Sequence, residues 1–144
     1  MILADEAATA SFAETLAALA RSGDIITLSG GLGVGKTTLA RGFLAARGHA
    51  GEVPSPSFAI VQPYDHLSPP VWHCDLYRIE DPAEIAELGL DGASDGILLV
   101  EWPEHAGPHA WPAALRLTLS IEPDDSRRLT VAVPSAWEER WPPQ

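Results

Sequence analysis

Residues Asp24 to Gly48 read DIITLSGGLGVGKTTLARGFLAARG, and this segment decides the fold. Its first six residues, 24–29, are a short run rich in β-branched side chains, typical of a buried strand. After Lys36, the apolar residues Leu39 and Phe43 recur at helical spacing until Gly48 ends the helix. Between the two lies a glycine-rich turn. The segment therefore predicts a strand, a tight loop and a helix in direct succession.

The turn, residues 30–37, matches the complete pattern G-x-x-x-x-G-K-[ST] and contains Lys36, the only lysine of the chain. Such a loop points consecutive backbone N–H groups at phosphates, and the following helix N-terminus adds its dipole. The lysine reaches the β- and γ-phosphates, and the hydroxyl of Thr37 binds Mg²⁺. A glycine-rich turn without a ligand has no use for Lys-Thr at the helix start. We therefore expect a nucleoside triphosphate to contact Gly31, Leu32, Gly33, Val34, Gly35, Lys36, Thr37 and Thr38.

The remaining periodicity predicts an α/β fold of the P-loop NTPase type, with a mixed sheet of six or seven strands and helices on both faces. The sheet is expected to be parallel around the loop and antiparallel at one edge. The predicted elements are a helix capped at Ser11 and ending at Gly23, strands over 58–62, 71–75 and 96–101, a short helix over 81–89, and a hairpin of 115–122 with 129–133.

Composition limits the function. A chain of 144 residues with 46% hydrophobic content suits a single domain, 1–144. The sequence has no membrane-length apolar run and no export signal, and its single cysteine, Cys74, suits a reducing compartment, so we expect a cytoplasmic protein. The net charge of −11 opposes direct binding of nucleic acid, because such binding depends on Lys and Arg. Any link to RNA is expected to pass through a partner protein.

Two carboxylates compete for a role beside the phosphates. Glu101 follows a continuous apolar run and is expected to emerge at the carboxyl end of a buried strand, where a Mg²⁺ ligand is needed. Asp75 follows a poorer strand; it is the alternative ligand, or it positions water or the γ-phosphate. Either carboxylate could instead cap a nearby loop or pair with Arg78.

Four segments resemble the bacterial TsaE family, also called YjeE. They are GGLGVGKTTL at 30–39, VPSPSF at 53–58, HCDLYR at 73–78 and VEWP at 100–103. The resemblance implies the ATPase subunit of the machinery that makes threonylcarbamoyladenosine in tRNA. That subunit docks on a heterodimer of TsaB and TsaD, and ATP hydrolysis is thought to reset the complex; the threonylcarbamoyl-adenylate comes from TsaC. The implied cofactors are ATP and Mg²⁺.

By this resemblance, Lys36 and Thr37 match the family's phosphate and magnesium contacts, and Glu101 matches its second magnesium ligand. Asp75 matches a plausible catalytic position, and Arg127 matches a basic position that reaches toward the nucleotide; a solvated turn is the alternative for this arginine. The chain departs from the family pattern at two residues. Gly31 stands where an acidic residue is common, and Ser57 stands where Thr is common. Ser57 could contact the γ-phosphate or satisfy its own loop.

Other conspicuous side chains are expected to have ordinary roles. The histidines lack the spacing of a metal site, so surface or hydrogen-bonded positions are expected for His66, His73, His105 and His109. Trp102 could shield the phosphates, meet a partner or simply pack. Trp111, Trp137 and Trp141 are expected to cover the core or a sheet edge.

Three other functions compete with the ATPase hypothesis. A small-molecule kinase on the same loop needs an Arg-rich lid, and none is visible in the sequence. A GTP switch needs an Asn-Lys-x-Asp pattern, which the single lysine excludes. A module that uses ATP only to fix its shape for a partner is distinguished by its lack of turnover.

Overall fold

A mixed β-sheet forms the centre of the described part of the molecule. The computed structural model describes residues 1–31, 33–53, 61–90, 95–107 and 110–142. Within these ranges the sheet has seven strands in the order β1-β7-β6-β2-β5-β4-β3. The strands are β1 Ile2–Leu3, β2 Ile25–Ser29, β3 Val61–Tyr64, β4 Val71–Asp75, β5 Ile97–Glu101, β6 Leu115–Ile121 and β7 Arg127–Ala132.

The strand directions place the carboxyl ends of four neighbouring strands at one edge of the sheet. Strands β6, β2, β5 and β4 are parallel, whereas β3, β7 and β1 join them or each other in antiparallel pairs. Antiparallel pairing therefore occurs on both sides of the parallel centre, and the prediction of one antiparallel edge was incomplete. Ligands of open α/β sheets bind at the carboxyl ends of such parallel strands.

Both α-helices pack on one face of the sheet. They are α1, Glu6–Leu19, and α2, Lys36–Ala46. The helices approach closely where Gly42 faces Ala13, since a Cβ added to Gly42 would lie 2.9 Å from the Ala13 Cβ. The other face is covered by 3-10 helices, Pro82–Leu88 and Pro103–Ala106, around a second apolar cluster. The predicted α/β class is confirmed, with 3-10 rather than α-helices on the second face.

The predicted start of the first helix was wrong. Helix α1 begins at Glu6, because the Asp5 side chain accepts a 2.9 Å hydrogen bond from the Ala8 N–H and caps it. Ser11 lies inside the helix, which ends at Leu19 rather than at Gly23. The stronger cap therefore lies a turn and a half earlier than the Ser11 pattern suggested.

The other predicted elements lie close to their expected positions. The short helix over 81–89 forms, with the Asp81 side chain as its cap and Gly89 as its left-handed end, but its geometry is 3-10. The strand expected over 58–62 is observed as Val61–Tyr64, and residues 58–60 lie outside the described ranges. The hairpin is confirmed as β6 and β7, with the predicted alternation of buried and exposed residues in β6.

The carboxyl-terminal segment closes the core near the amino end of β2. Trp137 is fully buried, and Trp111 and Trp141 are partly buried against apolar clusters, as expected. The Arg140 guanidinium lies 4.0 Å from the Trp137 ring centroid and contacts both carboxylate oxygens of Asp24, at 2.6 and 2.9 Å. This contact fixes the segment to the residue that precedes β2.

None of the helices in the described ranges combines the length and the apolar character that crossing a membrane requires.

Candidate functional site

The glycine-rich loop joins the carboxyl end of β2 to the N-terminus of α2, as predicted. Gly30 has φ +139°, and a Cβ there would lie 2.4 Å from the Leu119 carbonyl oxygen, so the loop can pass β6 only with glycine at this position. Gly35 caps α2 in the left-handed conformation, at φ 108°. The first residue of the helix is Lys36, so the lysine is fixed at the positive end of the helix dipole.

Lys36 is 5% exposed and is held by the loop that precedes it. Its Nζ donates to the carbonyl oxygens of Gly30 and of Gly31, the latter at 3.2 Å. The Trp102 ring covers the ammonium group, with Nζ 3.7 Å from the ring centroid. Burial lowers the pKa of Lys36, and the nearby carboxylates of Glu101, Glu104 and Asp75 oppose that shift. The ammonium group is therefore shielded from water beside three acidic residues.

Glu101 and Asp75 lie side by side because strands β5 and β4 are parallel and pair these two residues directly. Both side chains are buried, at 2% and 7% exposure. The Thr37 hydroxyl donates to Glu101 Oε1 at 3.2 Å, which joins the start of α2 to the end of β5. The predicted convergence of Thr37 and Glu101 is thus present in the structure.

Asp75 turns one oxygen toward the chain that follows it. Its Oδ1 accepts a 2.8 Å hydrogen bond from the Tyr77 N–H, so the loop-capping alternative describes part of its role. No ion pair joins Asp75 to Arg78 in this described segment. Burial, and then the neighbouring Glu101 carboxylate, raise the pKa of Asp75 above its ordinary value, while the Tyr77 N–H moderates the shift.

His73 is a component of the site for which the sequence predicted only a surface or hydrogen-bonded position. It is fully buried in β4, and its Nε2 lies 2.6 Å from Glu101 Oε2. The second ring nitrogen, Nδ1, is buried with no hydrogen-bond partner among the described residues. The expectation of a hydrogen-bonded histidine is confirmed here, but the partner, Glu101, could be found only from the register of β4 and β5.

A cavity of about 710 Å³ opens over these groups. It reaches from the loop to the junction of β1 and α1. Strand β1 was not predicted, because a two-residue strand is too short to show periodicity. Of the predicted residues, the cavity lining includes Gly33, Val34, Gly35, Lys36, Thr37, Thr38, Asp75, Glu101 and Arg127. The lining residues not predicted to bind include Leu3, Ala4, Asp5, Glu6, Thr9, Tyr77, Arg78, Trp102 and Asp125.

Comparison with known proteins identifies the family. The sequence model described as "Threonylcarbamoyl adenosine biosynthesis protein TsaE" matches residues 3–130. The chain belongs to the TsaE family. A TsaE protein of Bacillus subtilis is 38% identical over 85% of this chain and 77% of its own length, and that of Rickettsia bellii is 40% identical over 88% and 89%. The crystal structure of Bacillus subtilis YdiB superposes with a TM-score of 0.79, at 32% identity over 96% of this chain and 88% of that one.

Of the remaining predicted positions of this TsaE chain, some lie within the described ranges and some do not. Leu32 and Ser57 lie outside the described residues. Gly31 is exposed, and its carbonyl oxygen accepts from Lys36. Arg127 is not a freely solvated turn residue: its Nε donates to the Val34 carbonyl oxygen at 2.9 Å, which ties the hairpin to the loop.

The histidines provide no metal-binding cluster in the described part of this TsaE chain, since no group of three or more His, Cys, Asp or Glu is arranged to hold a metal ion. His105 contacts the Leu76 carbonyl oxygen at 2.7 Å, and His66 lies 3.0 Å from His49. His109 lies outside the described residues.

The oxygen atoms at the end of β5 nevertheless fit a magnesium ion that is bound mainly by phosphates. Mg²⁺ prefers hard oxygen ligands and commonly takes only one or two from the protein. Thr37 supplies a hydroxyl and Glu101 a buried carboxylate, 3.2 Å apart. The two residues therefore have the chemistry and proximity expected of such a site.

Proposed function

We propose that this chain binds ATP with Mg²⁺ and hydrolyses it as the ATPase subunit of tRNA threonylcarbamoyladenosine biosynthesis. One observation carries the ATPase part: Lys36, Thr37, Glu101 and Asp75 converge on one cavity at the carboxyl ends of the parallel strands. The pathway follows from membership of a family described by that biosynthesis.

Binding begins with the groups that already surround Lys36. The N–H groups of residues 33–37 lie at the N-terminus of α2, where anionic phosphates are favoured. Lys36 then exchanges its bonds to the Gly30 and Gly31 carbonyls for bonds to phosphate oxygens. The cavity continues toward β1 and α1, which leaves room for the nucleoside.

Thr37 and Glu101 are the residues that would hold Mg²⁺. An ion held there would offset negative charge on the phosphates while the γ-phosphoryl group is transferred to water. Asp75 lies beside Glu101 and is the candidate for positioning that water and accepting its proton. Its raised pKa makes it a better proton acceptor than an ordinary aspartate.

We propose that hydrolysis is slow until TsaB and TsaD dock. Two arginines, Arg78 and Arg127, line the cavity, but Arg127 is already bonded to the Val34 and Asp125 carbonyl oxygens. A docking partner could complete the charge stabilisation in the transition state. The net charge of −11 also favours contact with tRNA through these partners rather than directly, and we propose a cytoplasmic location for the complex.

The test compares ATP hydrolysis by the purified chain alone and with TsaB and TsaD. We expect a clear acceleration by the heterodimer. An unchanged rate would reject activation by these partners while leaving nucleotide binding to a separate calorimetric measurement.

A second comparison distinguishes an ATPase from a module that binds ATP without turnover. Glu101→Gln and Asp75→Asn should lose hydrolysis in the assembled complex, and both should still bind ATP measured in EDTA. If both variants leave partner-dependent function intact, ATP acts only as a ligand that fixes the shape of the chain.

A further inference from the structure

The buried histidine at the end of β4 has a position that stability alone does not explain. His73 is 0% exposed, and its Nδ1 has no hydrogen-bond partner within the described ranges. Leaving a buried polar atom unpaired costs stability, and an apolar side chain at the same place would avoid that cost. Only Nε2 is engaged, so any role of His73 beyond packing acts through the contact that Nε2 makes.

That contact acts on one oxygen of one carboxylate. A carboxylate that binds Mg²⁺ is ionised and only accepts hydrogen bonds, so in that role Glu101 needs Nε2 to carry the proton and donate to Oε2, which lies 2.6 Å away. On the other side, the Thr37 hydroxyl meets Oε1 at 3.2 Å. The two contacts fix both ends of the carboxylate, and thereby its rotation about the last side-chain bond.

We propose that His73 is a positioning residue that orients the Glu101 carboxylate beside Thr37 for magnesium. The inference rests on the proposed magnesium–nucleotide function and extends it by one residue. Groups that hydrogen-bond to metal ligands restrict the orientation of those ligands, and their loss typically lowers metal affinity or activity by about 10- to 100-fold. His73 does not touch the phosphates in this arrangement; it acts through Glu101.

The two decisive variants carry the same amide group and differ only in side-chain length. His73→Gln can place an amide N–H near the position of Nε2, whereas His73→Asn is polar but too short to reach Glu101. The matched control is Cys74→Ala, the next residue of the strand, whose side chain belongs to the apolar cluster on the opposite face. Thermal unfolding establishes that each variant is folded.

The measurement is calorimetric titration with ADP in EDTA, followed by titration of Mg²⁺ into the nucleotide-bound protein. We expect His73→Asn to bind ADP normally in EDTA and to lose about 10- to 100-fold in Mg²⁺ affinity. His73→Gln and Cys74→Ala should stay close to the wild type. Added to Glu101→Ala, His73→Asn should cause no further loss, because the two residues act in series.

Three results would overturn the positioning role. The first is an unchanged Mg²⁺ affinity in His73→Asn, and the second is a loss of ADP affinity in EDTA by the same variant as large as its loss of Mg²⁺ affinity. The third is a folded His73→Gln whose Mg²⁺ affinity is as low as that of His73→Asn. If the wild type itself shows no response to Mg²⁺, the proposed function fails and this role fails with it. If the wild type responds to Mg²⁺ and His73→Asn responds with the same affinity, only the role of His73 is rejected and the proposed function stands.

Imidazole ¹⁵N NMR of the wild type provides a second reading that needs no variant at position 73. We expect His73 to be protonated at Nε2, with a resonance that shifts in Glu101→Gln and on addition of Mg²⁺ and ADP. A resonance that ignores both changes contradicts the proposal, even if His73→Asn does not fold.

Discussion

The two ends of strand β2 both carry buried charge, but they use it differently. Asp24, just before the strand, meets the Arg140 guanidinium in two hydrogen bonds, at 2.6 and 2.9 Å, and the side chains are about 10% exposed or less. Beyond the other end, Lys36 is bonded to backbone carbonyls and lies over the Trp102 ring, while Asp75 and Glu101 crowd each other nearby.

The two environments shift the pKa values of their charged groups in different ways. Asp24 raises the pKa of Arg140, because the carboxylate stabilises the guanidinium as an ion. At the loop, burial lowers the pKa of Lys36 and raises that of Asp75, so both charged forms are less favoured there. Before β2, each charged group has an oppositely charged partner within the protein. After β2, Lys36 and Asp75 lack such a pairing among the described residues, an arrangement that suits the binding of a charged ligand.

The largest expected effect comes from removing the cation at the loop. Lys36→Ala should weaken ATP binding on the order of 10³-fold, since two charge-assisted hydrogen bonds to phosphate are each worth about 2 kcal/mol. Titration calorimetry with Mg²⁺ present measures the loss. Undiminished affinity would show that the nucleotide binds elsewhere, and the Arg140→Ala protein serves as a control that should bind normally while folded.

Removing the cation at the other end should affect folding instead. Arg140→Ala leaves Asp24 buried without its partner, and the free energy of unfolding should fall by about 3 kcal/mol. Urea unfolding followed by circular dichroism gives this value. A change below about 1 kcal/mol would mean that the pair acts as an ordinary surface ion pair, and the contrast between the two ends would be lost.

A smaller effect is expected at Trp102, which has φ 60° and ψ 48°, an uncommon conformation for a bulky residue. When Lys36 turns to phosphate, it leaves a ring contact worth about 1 kcal/mol, and the indole environment changes. The fluorescence change on adding ATP and Mg²⁺ should therefore disappear in Trp102→Phe and persist in Trp111→Phe. An equal signal in both variants would assign it to another tryptophan.

At neutral pH the smallest effect is expected at Cys74, which lies on the opposite face of β4 from His73. Burial raises the pKa of the thiol to about 12, so almost no thiolate forms at pH 8. Iodoacetamide should leave the native protein unmodified and label it on unfolding in urea, as mass spectrometry would show. Because the unfolded thiol ionises first, its contribution to stability should fall between about pH 9 and 12, a decrease that Cys74→Ala should lack. Rapid labelling of the folded chain would contradict the burial of this residue.

The sequence predicted the glycine-rich loop after β2 much better than the contact between Asp24 and Arg140 before it. Strand, glycine loop and helix are local, so residues 24–48 contain their own signals, and the continuous apolar run before Glu101 identifies a buried strand. The contact of Asp24 with Arg140 spans 116 residues, and nothing in either neighbourhood indicates the other.

The features that the sequence did not predict depend on contacts between distant segments, with one local exception. His73 becomes the partner of Glu101 only through the register of two parallel strands, which a single sequence does not determine. The local exception is the predicted helix start at Ser11, which was wrong because the side chain of Asp5 forms the cap instead. Strand β1, which borders the cavity, is two residues long and exists through its pairing with β7.

That pairing has a consequence for how the chain is made. Ile2 and Leu3 find their partners at Arg128 and Arg127, and Arg127 also supports the phosphate loop through Val34. Most of the polypeptide must therefore leave the ribosome before Arg127 can form its hydrogen bond to the Val34 carbonyl oxygen in the loop. Contacts so distant along the chain slow folding, so the nascent protein should acquire nucleotide affinity abruptly and late, as translation passes the hairpin.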